Sequence, residues 1–492
     1  MGAHPVQHFR FRDIDQRERR VAVLVAGLTA LYAIALVGGL MPATHSALFG
    51  FIVPLGVLAL AVLALAVMAG RAWAMMAMLA IVIFGLSLSF RIRELGEVGL
   101  DWQNGAKLGC WALLFGLGLM RWRDLVPVLA SPIPALLVLL GGMAFLSAAW
   151  SLTPTYTIAS AMGFMAYLFL AAMVVRDLSL DRTILVILSC LSAFIVLSMI
   201  GAILTPDISW MPPSVEETEY RLQGYAGHPN GLGQMAGIFM IFAIIAERRR
   251  LIGRGMLAVL MGTGIAVIFL ASSRTILGAV LFAWFVVALR HSRYALPLVF
   301  AGLTLLGVVL VIAGLGMLAD LETLFTGLSR TGSSHEIMTL TGRTDIWAVA
   351  IEKIAQKPLF GWGYNATEAL ISGSFGETFY GNPVNAHNTY LQLLLSLGMI
   401  GAAPGFLVML AGVWLFFARP DDTRDLIVAL YLFNGLAEAD GFATPVLLLL
   451  IFFWAFVQDA ARARVNHSAD RHATGAFPSL SHGTLTGREM VR

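Results

Sequence analysis

The chain has 492 residues, of which 59% are hydrophobic and only 12% are charged, with a formal net charge of +3. Soluble domains carry roughly 25% charged residues, so this composition excludes an ordinary soluble protein and predicts a membrane protein. The arginines lie beside apolar segments rather than in one basic patch, which excludes a nucleic-acid-binding surface as the main function.

Apolar segments of about 17–25 residues, the length that crosses a bilayer as a helix, recur along the whole chain. Lipid offers no hydrogen-bond partner to an open sheet edge, so these segments are predicted to be helices. They predict an all-α fold, a polytopic transmembrane helical bundle with about 12–14 spans. The candidate spans are Val21–Met41, Leu48–Gly70, Ala72–Phe90, Leu108–Met120, Pro132–Trp150, Ile158–Val175, Ile184–Leu204, Gly231–Ala246, Met256–Ala271, Thr275–Leu289, Ala295–Leu318, Met399–Ala418, Leu426–Leu436 and Pro445–Gln458.

The arginine positions orient the bundle, because cytoplasmic connections of membrane proteins are rich in Lys and Arg. The connections that fall on one side of the predicted spans hold Arg71, Arg121, Arg123, Arg176, Arg182, Arg248, Arg249, Arg250, Arg254, Arg290, Arg293, Arg419 and Arg424. The arginine-rich N-terminal segment and Arg462 with Arg464 fall on that side too, which predicts that both termini are cytoplasmic. The opposite, outer face receives Arg91 and Arg93, the loop 205–230, the turn 272–274 and the long loop 320–386.

A histidine lies where the long outer loop meets an apolar helix, in the segment Asn385–Leu391. Asn388 or Thr389 is a suitable N-cap for this helix, which either continues into Met399–Ala418 or breaks near Gly398 and Gly401. A neutral imidazole at His387 would be a general base for a sugar hydroxyl. The alternative is a histidine that only hydrogen-bonds the loop backbone.

Three arginines stand out on the outer face, where arginine is otherwise scarce: Arg221, Arg274 and Arg343. An arginine fork binds phosphate oxygens through two hydrogen bonds and stays charged at any working pH. Together the three would hold a pyrophosphate and stabilise it as a leaving group. The alternative for each is a residue that extends its charge to the membrane surface or forms an ion pair there.

Further polar and aromatic residues accompany these motifs on the outer face. His228, followed by Pro229 and Asn230, is a second histidine, and its sequence is typical of a rigid turn into a helix. Trp362 and Tyr364 lie in a glycine-rich segment that is either a stacking platform for sugars or a turn with aromatics at the membrane interface. In the last apolar hairpin, Glu438 and Asp440 either pair with an outer-face arginine or mark an exposed turn.

These motifs, in this order, resemble the O-antigen ligase and Wzy-type polysaccharide polymerase superfamily, with bacterial exopolysaccharide polymerases as the most similar group. The resemblance covers about Tyr220 to Gly401. It rests on Arg221 with His228-Pro229-Asn230, Ser273-Arg274, Thr341-Gly342-Arg343-Thr344-Asp345-Ile346-Trp347, Pro358-Leu359-Phe360-Gly361-Trp362-Gly363-Tyr364, and Ala386-His387-Asn388-Thr389-Tyr390-Leu391 with Gly398 and Gly401.

The resemblance implies a GT-C-like membrane glycosyltransferase that is inverting and metal-independent, with no cofactor. Its donor would be a glycan on undecaprenyl pyrophosphate, and its location the bacterial inner membrane with a periplasmic active face. By the same resemblance His387 is the catalytic histidine, and Arg221 and Arg343 bind the pyrophosphate, with Arg274 a weaker match. Trp362, Tyr364, Asn388, His228 and Asn230 are candidates for sugar or supporting contacts. Pyrophosphate is already a good leaving group, so cationic side chains would replace a metal.

The predicted organisation has five parts. They are a cytoplasmic N-terminal segment (1–20), N-terminal transmembrane helices (21–318), a large periplasmic loop with the catalytic motifs (319–387), C-terminal transmembrane helices (388–460) and a disordered cytoplasmic tail (461–492). Within the loop, the resemblance places an amphipathic helix at Asp345–Gln356, with Ile346, Ala350, Ile351 and Ile354 on its apolar face.

The expected activity is transfer of the glycan to an acceptor hydroxyl, most simply on another lipid-linked repeat unit, which is polymerisation. The alternative within the family is a ligase that transfers the glycan to lipid A-core. The alternative from another class is a polysaccharide flippase or secondary transporter. Such a protein would have internal repeats and ionisable residues at the middle of its spans, whereas the polar residues here concentrate on one face.

Overall fold

The computed structural model describes residues 59–60, 62–89, 102–213, 219–290, 343–372, 374, 385–439 and 445–474. The predicted spans Val21–Met41 and Ala295–Leu318, most of Leu48–Gly70, and the end of Ala72–Phe90 lie outside these residues. So do the N-terminal segment 1–20, Arg91, Arg93, Arg293, Asp440, residues 320–342, 373 and 375–384 of the long outer loop, and residues 475–492 of the tail.

The helices of the described residues are joined by turns and loops, and the strands there form one antiparallel pair of two residues each, β1 (Trp210–Met211) and β2 (Arg221–Leu222). A helical stretch at 62–68 comes first. The helices that follow are α1 (Ala72–Gly85), α2 (Trp102–Met120), α3 (Trp122–Leu129), α4 (Pro132–Leu146), α5 (Pro154–Asp177), α6 (Leu180–Leu204), α7 (Pro206–Ser209), α8 (Pro229–Arg248), α9 (Arg254–Leu270), α10 (Arg274–Arg290), α11 (Arg343–Gln356), α12 (Glu368–Ser372), α13 (Thr389–Ala418), α14 (Asp422–Asn434) and α15 (Leu447–Thr474).

Five of the described helices are long and apolar enough to cross a membrane: α4 with the 3₁₀ turn after it, α5, α6, α8 and α13. The helices α1 and α9 are apolar but shorter. Helices α5 and α8 are the most enclosed of the five and pack against α2, α9 and α15. The protein is therefore an all-α, multi-pass membrane protein, as its composition predicts.

Local sequence signals explain where the helices begin. Proline occupies the first turn of α4, α5, α7 and α8, where its missing N–H costs no helical hydrogen bond. The side chains of Ser179, His228, Asn388 and Asp421 accept backbone N–H groups at the starts of α6, α8, α13 and α14. These caps fix the residues at which the helices begin.

The arginine-rich connections meet at one end of the bundle, which we call the arginine end. There seven arginines pair with aspartates from other segments of the bundle, which ties the helix ends together. The pairs are Arg121 with Asp177, Arg176 with Asp124, Arg248 and Arg290 with Asp422, Arg249 with Asp181, Arg424 with Asp459, and Arg462 with Asp421. The N-termini of α8, α10 and α13 and the C-terminus of α14 lie at the opposite end, which we call the site end.

Helix α13 is broken at Gly398, where φ is +64° and ψ is −174°, a conformation essentially confined to glycine. The glycine-rich segment 358–363 lies against the break and pairs with the backbone groups that the break leaves without helical partners. These hydrogen bonds run from Met399 N to Pro358 O (2.8 Å), Ile400 N to Leu359 O (3.1 Å), Trp362 N to Leu395 O (3.0 Å) and Gly363 N to Ser396 O (2.9 Å). The break that the sequence left open is therefore present at Gly398.

The substitution Gly398→Ala is expected to destabilise the protein by about 2 kcal/mol or more, because the backbone conformation is closed to alanine. A Cβ atom there would also lie 2.3 Å from the carbonyl carbon of Leu359. Thermal unfolding in detergent measures the effect. Gly142→Ala is the matched control, since it lies in α4 with no atom within 4 Å of the added Cβ. Equal melting temperatures for the two variants would contradict this account of the break.

Candidate active site

Glu438 is the centre of the polar cluster at the site end. It follows the C-terminus of α14, and its side chain is 14% exposed. Its Oε1 accepts hydrogen bonds from Arg343 Nη2 at 2.6 Å and from Asn230 Nδ2 at 3.1 Å. Its Oε2 lies 3.4 Å from His387 Nδ1, which is long for a hydrogen bond. One carboxylate therefore joins the catalytic candidate to an arginine of the predicted pyrophosphate site.

Arg221 belongs to the same cluster through one further residue. Its Nη2 donates to Asn230 Oδ1 at 2.8 Å, and its Nε donates to the carbonyl of Ala271 at 3.1 Å. The guanidinium is 3% exposed and is held on β2, beside the N-terminus of α8. The Asn230 amide thus bridges Arg221 to Glu438, which connects both predicted phosphate-binding arginines to one carboxylate.

The turn between α9 and α10 lies between the two arginines. Arg221 binds it at Ala271, and Arg343 Nη1 lies 3.5 Å from Thr275 Oγ1. Arg274 is the first residue of α10 in this turn, and its side chain is exposed. It therefore lies near the cluster in sequence and space, but among the described residues its guanidinium has no ion-pair partner.

His387 is held in a strained conformation at the start of α13. Its φ is +43°, a left-handed value that is uncommon for residues other than glycine. Its own N–H donates to Asn385 Oδ1 at 2.9 Å, and the N–H of Ala386 donates to Gln392 Oε1 at 3.0 Å. Gln392 is fully buried and is held in turn by Thr367. Strained residues fixed by their surroundings concentrate at functional sites, and the imidazole here remains 30% exposed.

Asn388 caps α13, as the sequence predicts. Its Oδ1 accepts the N–H groups of Tyr390 and Leu391, both at 3.0 Å. Its Nδ2 donates to the carbonyl of Leu436 at 2.9 Å, two residues before Glu438. Thr389 Oγ1 donates to the carbonyl of Glu438 itself at 2.8 Å. The cap of α13 therefore also positions the loop that carries Glu438 against His387.

The electrostatics of the cluster are dominated by the Glu438 carboxyl. Burial alone would raise its pKa, but the hydrogen bond with His387 and the positive charge of Arg343 lower it, helped by His387 and His228. The net result is a pKa of Glu438 below its ordinary value. An ionised carboxylate only accepts hydrogen bonds, so the tautomer of His387 that suits this contact carries its proton on Nδ1 and leaves Nε2 available.

The other predicted contacts take supporting positions. The Nδ1 of His228 accepts the N–H of Asn230 at 3.1 Å and caps α8, which begins at Pro229 and so confirms the predicted turn. The Tyr364 ring is 1% exposed and packs edge-on against Phe164, so it has no face for a sugar.

Trp362 is also engaged by the protein. Its Nε1 donates to the carbonyl of Lys353 at 2.9 Å, and the ammonium of Lys357 lies 4.0 Å from the centre of its ring. A cation over the ring covers one of its two faces, and a sugar cannot stack on that face. For this segment the structure therefore favours the turn over the stacking platform, with Tyr364 excluded as a stacking residue.

The predicted loop helix is present as α11, which begins at Arg343, two residues earlier than expected. Ile346 and Ala350 are buried, and Ile354 packs against the same small apolar cluster. Ile351, however, is 57% exposed and does not belong to that cluster. The helix is anchored at its first residue by the Arg343–Glu438 ion pair and along one narrow face by apolar contacts.

The principal residue that sequence reasoning did not place in the site is Glu438. It is separated from His387 by 51 positions and from Arg343 by 95. The one available signal was a carboxylate inside an otherwise apolar hairpin, where an unpaired charge would be costly. That signal indicated a partner on the outer face but did not identify which arginine or histidine it was.

Comparison with known families supports the same region. Residues 256–404 match the family model described as O-antigen ligase. No curated protein matches the chain. The matched segment includes Arg274, Arg343 and His387, whereas Arg221 and Glu438 lie outside it and reach it through the contacts given above. Residues 256–404 are therefore similar to the O-antigen ligase family, which supports the superfamily that the motifs resemble.

Proposed function

We propose that the protein is a membrane glycosyltransferase that moves a glycan from undecaprenyl pyrophosphate to an acceptor sugar hydroxyl. The observation that carries this proposal is the cluster at the site end, in which His387 and Arg343 contact the same carboxylate and Arg221 is one amide away. A proton acceptor beside two fixed cations suits a reaction that deprotonates a hydroxyl and releases an anion.

In the proposed reaction, Nε2 of His387 removes the proton from the acceptor hydroxyl as its oxygen attacks the anomeric carbon of the donor sugar. The bond between that carbon and the pyrophosphate oxygen breaks, and undecaprenyl pyrophosphate leaves with both bonding electrons. Attack opposite the leaving group inverts the anomeric configuration. Arg343 and Arg221 stabilise the charge that develops on the leaving oxygen, which is the role that a metal ion would otherwise take.

Glu438 has a positioning role in this reaction. Its carboxylate accepts from Nδ1 of His387 and so selects the tautomer with Nε2 free. When the ring takes up the acceptor proton, the same carboxylate stabilises the imidazolium that forms. The 3.4 Å separation would shorten as the imidazolium forms, because contacts of catalytic groups often tighten in the complex that reacts.

The proposed location is the bacterial inner membrane, with the site end in the periplasm and both termini in the cytoplasm. The support is the concentration of arginines at the opposite end of the bundle, which is typical of the cytoplasmic side. Lipid-linked donors are bound to the membrane, so a site at helix ends beside the bilayer surface suits them.

A topology assay tests this orientation. A reporter fused near Ser334 is expected to report the periplasm, and one fused after Arg464 the cytoplasm, because an odd number of crossings separates the two positions. Paired reporters that are active only in one compartment each, such as a phosphatase and a fluorescent protein, give complementary signals. If both fusions report the same compartment, the orientation and the periplasmic site are wrong.

Polymerisation is the favoured reaction, with the acceptor another lipid-linked repeat unit; ligation to lipid A-core is the second candidate. The purified protein incubated with lipid-linked repeat units alone is expected to give longer glycans on the lipid. Product that forms only when lipid A-core is added would identify a ligase instead.

The reaction is expected to continue in a chelator, and full inhibition that is reversed by a divalent cation would contradict the metal-independent mechanism. Absence of glycan transfer to either acceptor would favour the flippase or transporter alternative.

A further inference from the structure

Arg343 already has an anionic partner within the protein. Its Nη2 lies 2.6 Å from Glu438 Oε1, and the two side chains are only 16% and 14% exposed. The same oxygen accepts from Asn230, whose amide oxygen accepts from Arg221. The carboxylate thus contacts Arg343 directly and Arg221 through Asn230, and these are the arginines that the proposed function assigns to the pyrophosphate.

We propose that Glu438 competes with the donor's phosphates for Arg343. A bound pyrophosphate would displace the carboxylate from Arg343, and the carboxylate would then interact with His387. This inference rests on the proposed function, because it assumes that Arg343 binds the pyrophosphate. The inference adds that the Glu438 carboxylate lowers the affinity of Arg343 for phosphate. It also adds that Glu438 links the general base to the leaving-group site.

The geometry favours replacement of the carboxylate by a phosphate on Arg343 over simultaneous binding of both anions. Two anions on one partly buried guanidinium would repel each other across a few ångströms, in surroundings that screen charge less than water does. Arg343 uses only Nη2 for Glu438, and its Nη1 is 3.5 Å from Thr275, so the other edge of the fork is weakly held. Phosphate prefers the two-pronged contact that the whole fork offers.

The exchange would impose an order on the reaction. While Arg343 is paired with Glu438, the carboxylate divides its charge between the arginine and His387. Once a phosphate binds Arg343, the carboxylate no longer shares its charge with the arginine. Its interaction with His387 is then stronger, so His387 becomes a stronger base for the acceptor hydroxyl. The histidine is therefore most effective after the donor has bound, which favours binding of the donor before deprotonation of the acceptor.

A purely structural role for Glu438 predicts the opposite effect on phosphate binding. If the carboxylate only braces Arg343, its loss lets the arginine move, and pyrophosphate binds more weakly. If it competes, its loss frees the arginine and removes a repulsive charge, and pyrophosphate binds more tightly. The sign of the change in affinity therefore separates the two roles.

The test is titration of the purified full-length protein with inorganic pyrophosphate, comparing wild type with Glu438→Gln. We expect about a 10-fold lower dissociation constant for Glu438→Gln, together with slower glycan transfer, since His387 loses its carboxylate. The matched control is Glu352→Gln, which removes the same charge from an exposed position on α11. Its affinity is expected to equal that of wild type. An equal or higher dissociation constant for Glu438→Gln would overturn the inference.

Two further variants complete the test. If Glu438→Gln does not fold, Glu438→Asp keeps the charge but withdraws it by one methylene group, and pyrophosphate should still bind more tightly than to wild type. Unchanged or weaker binding by this variant also overturns the inference. Arg343→Ala is expected to bind pyrophosphate more weakly. Unchanged binding by Arg343→Ala would remove the phosphate site of the proposed function, whereas weaker binding by it with no gain in Glu438→Gln would remove the competition alone.

Discussion

Replacing His387 with alanine is expected to reduce glycan transfer by about 10²–10⁴-fold, the usual loss when a general base is removed. The reason is geometric: Asn385 holds the strained backbone of His387, and Nδ1 of the imidazole faces the Glu438 carboxylate, which leaves Nε2 for the acceptor hydroxyl. The measurement is the initial rate of product formation by purified protein with lipid-linked donor, at equal amounts of folded enzyme.

A second histidine variant controls for effects on expression and membrane insertion. His467 lies in α15 beyond Arg462, at the arginine end. The His467→Ala protein is expected to transfer glycan at the rate of wild type. The His387→Ala protein should unfold at nearly the wild-type temperature, because the ring is partly exposed and makes one long polar contact. Product at near-normal rates from folded His387→Ala would mean that this histidine is structural.

Arg343→Lys is expected to lose transfer by roughly 100-fold, the scale on which single charge-stabilising donors contribute to catalysis. Lysine keeps the positive charge but has neither the fork nor the two-pronged contact with phosphate. Arg343→Ala should be at least as impaired. The same ranking is expected for Arg221→Lys and Arg221→Ala, measured as the rate at saturating acceptor and limiting donor.

Replacements of Arg221 and Arg274 are expected to have effects that differ from those of replacing Arg343. Arg221 is buried and bonds the carbonyl of Ala271, so its replacement by alanine is also expected to lower the melting temperature. Arg274 is exposed at the start of α10, and its replacement by lysine should cause the mildest loss. If lysine were tolerated at both Arg221 and Arg343, neither arginine would be binding the leaving group through its fork.

The bundle was largely predictable because its information is local. Apolar runs mark helices wherever they occur, and the described helices α5, α6, α8, α9 and α10 begin and end within four residues of the predicted spans. The cap at Asn388 and the proline at the start of α8 are likewise signals within a few residues of the feature they control.

The centre of the site could not be predicted in the same way, because it depends on contacts between distant segments. Glu438 reaches Arg343 and His387 only after α14 has packed back along α10 and α13. Similarly, the glycine-rich segment that ends at Tyr364 looks like an aromatic platform until its backbone is seen to pair with the break at Gly398. Periodicity locates elements, but it carries no information about which turns meet.

Donor binding and transfer measured on the same variants test the central claim, that one cluster binds the leaving group and deprotonates the acceptor. We expect His387→Ala to bind undecaprenyl-pyrophosphate-linked glycan with nearly wild-type affinity yet fail to transfer it. Arg343→Lys and Arg221→Lys should bind that donor more weakly and also transfer poorly. Wild-type donor affinity in both arginine variants, or transfer by His387→Ala at the wild-type rate, would contradict the claim.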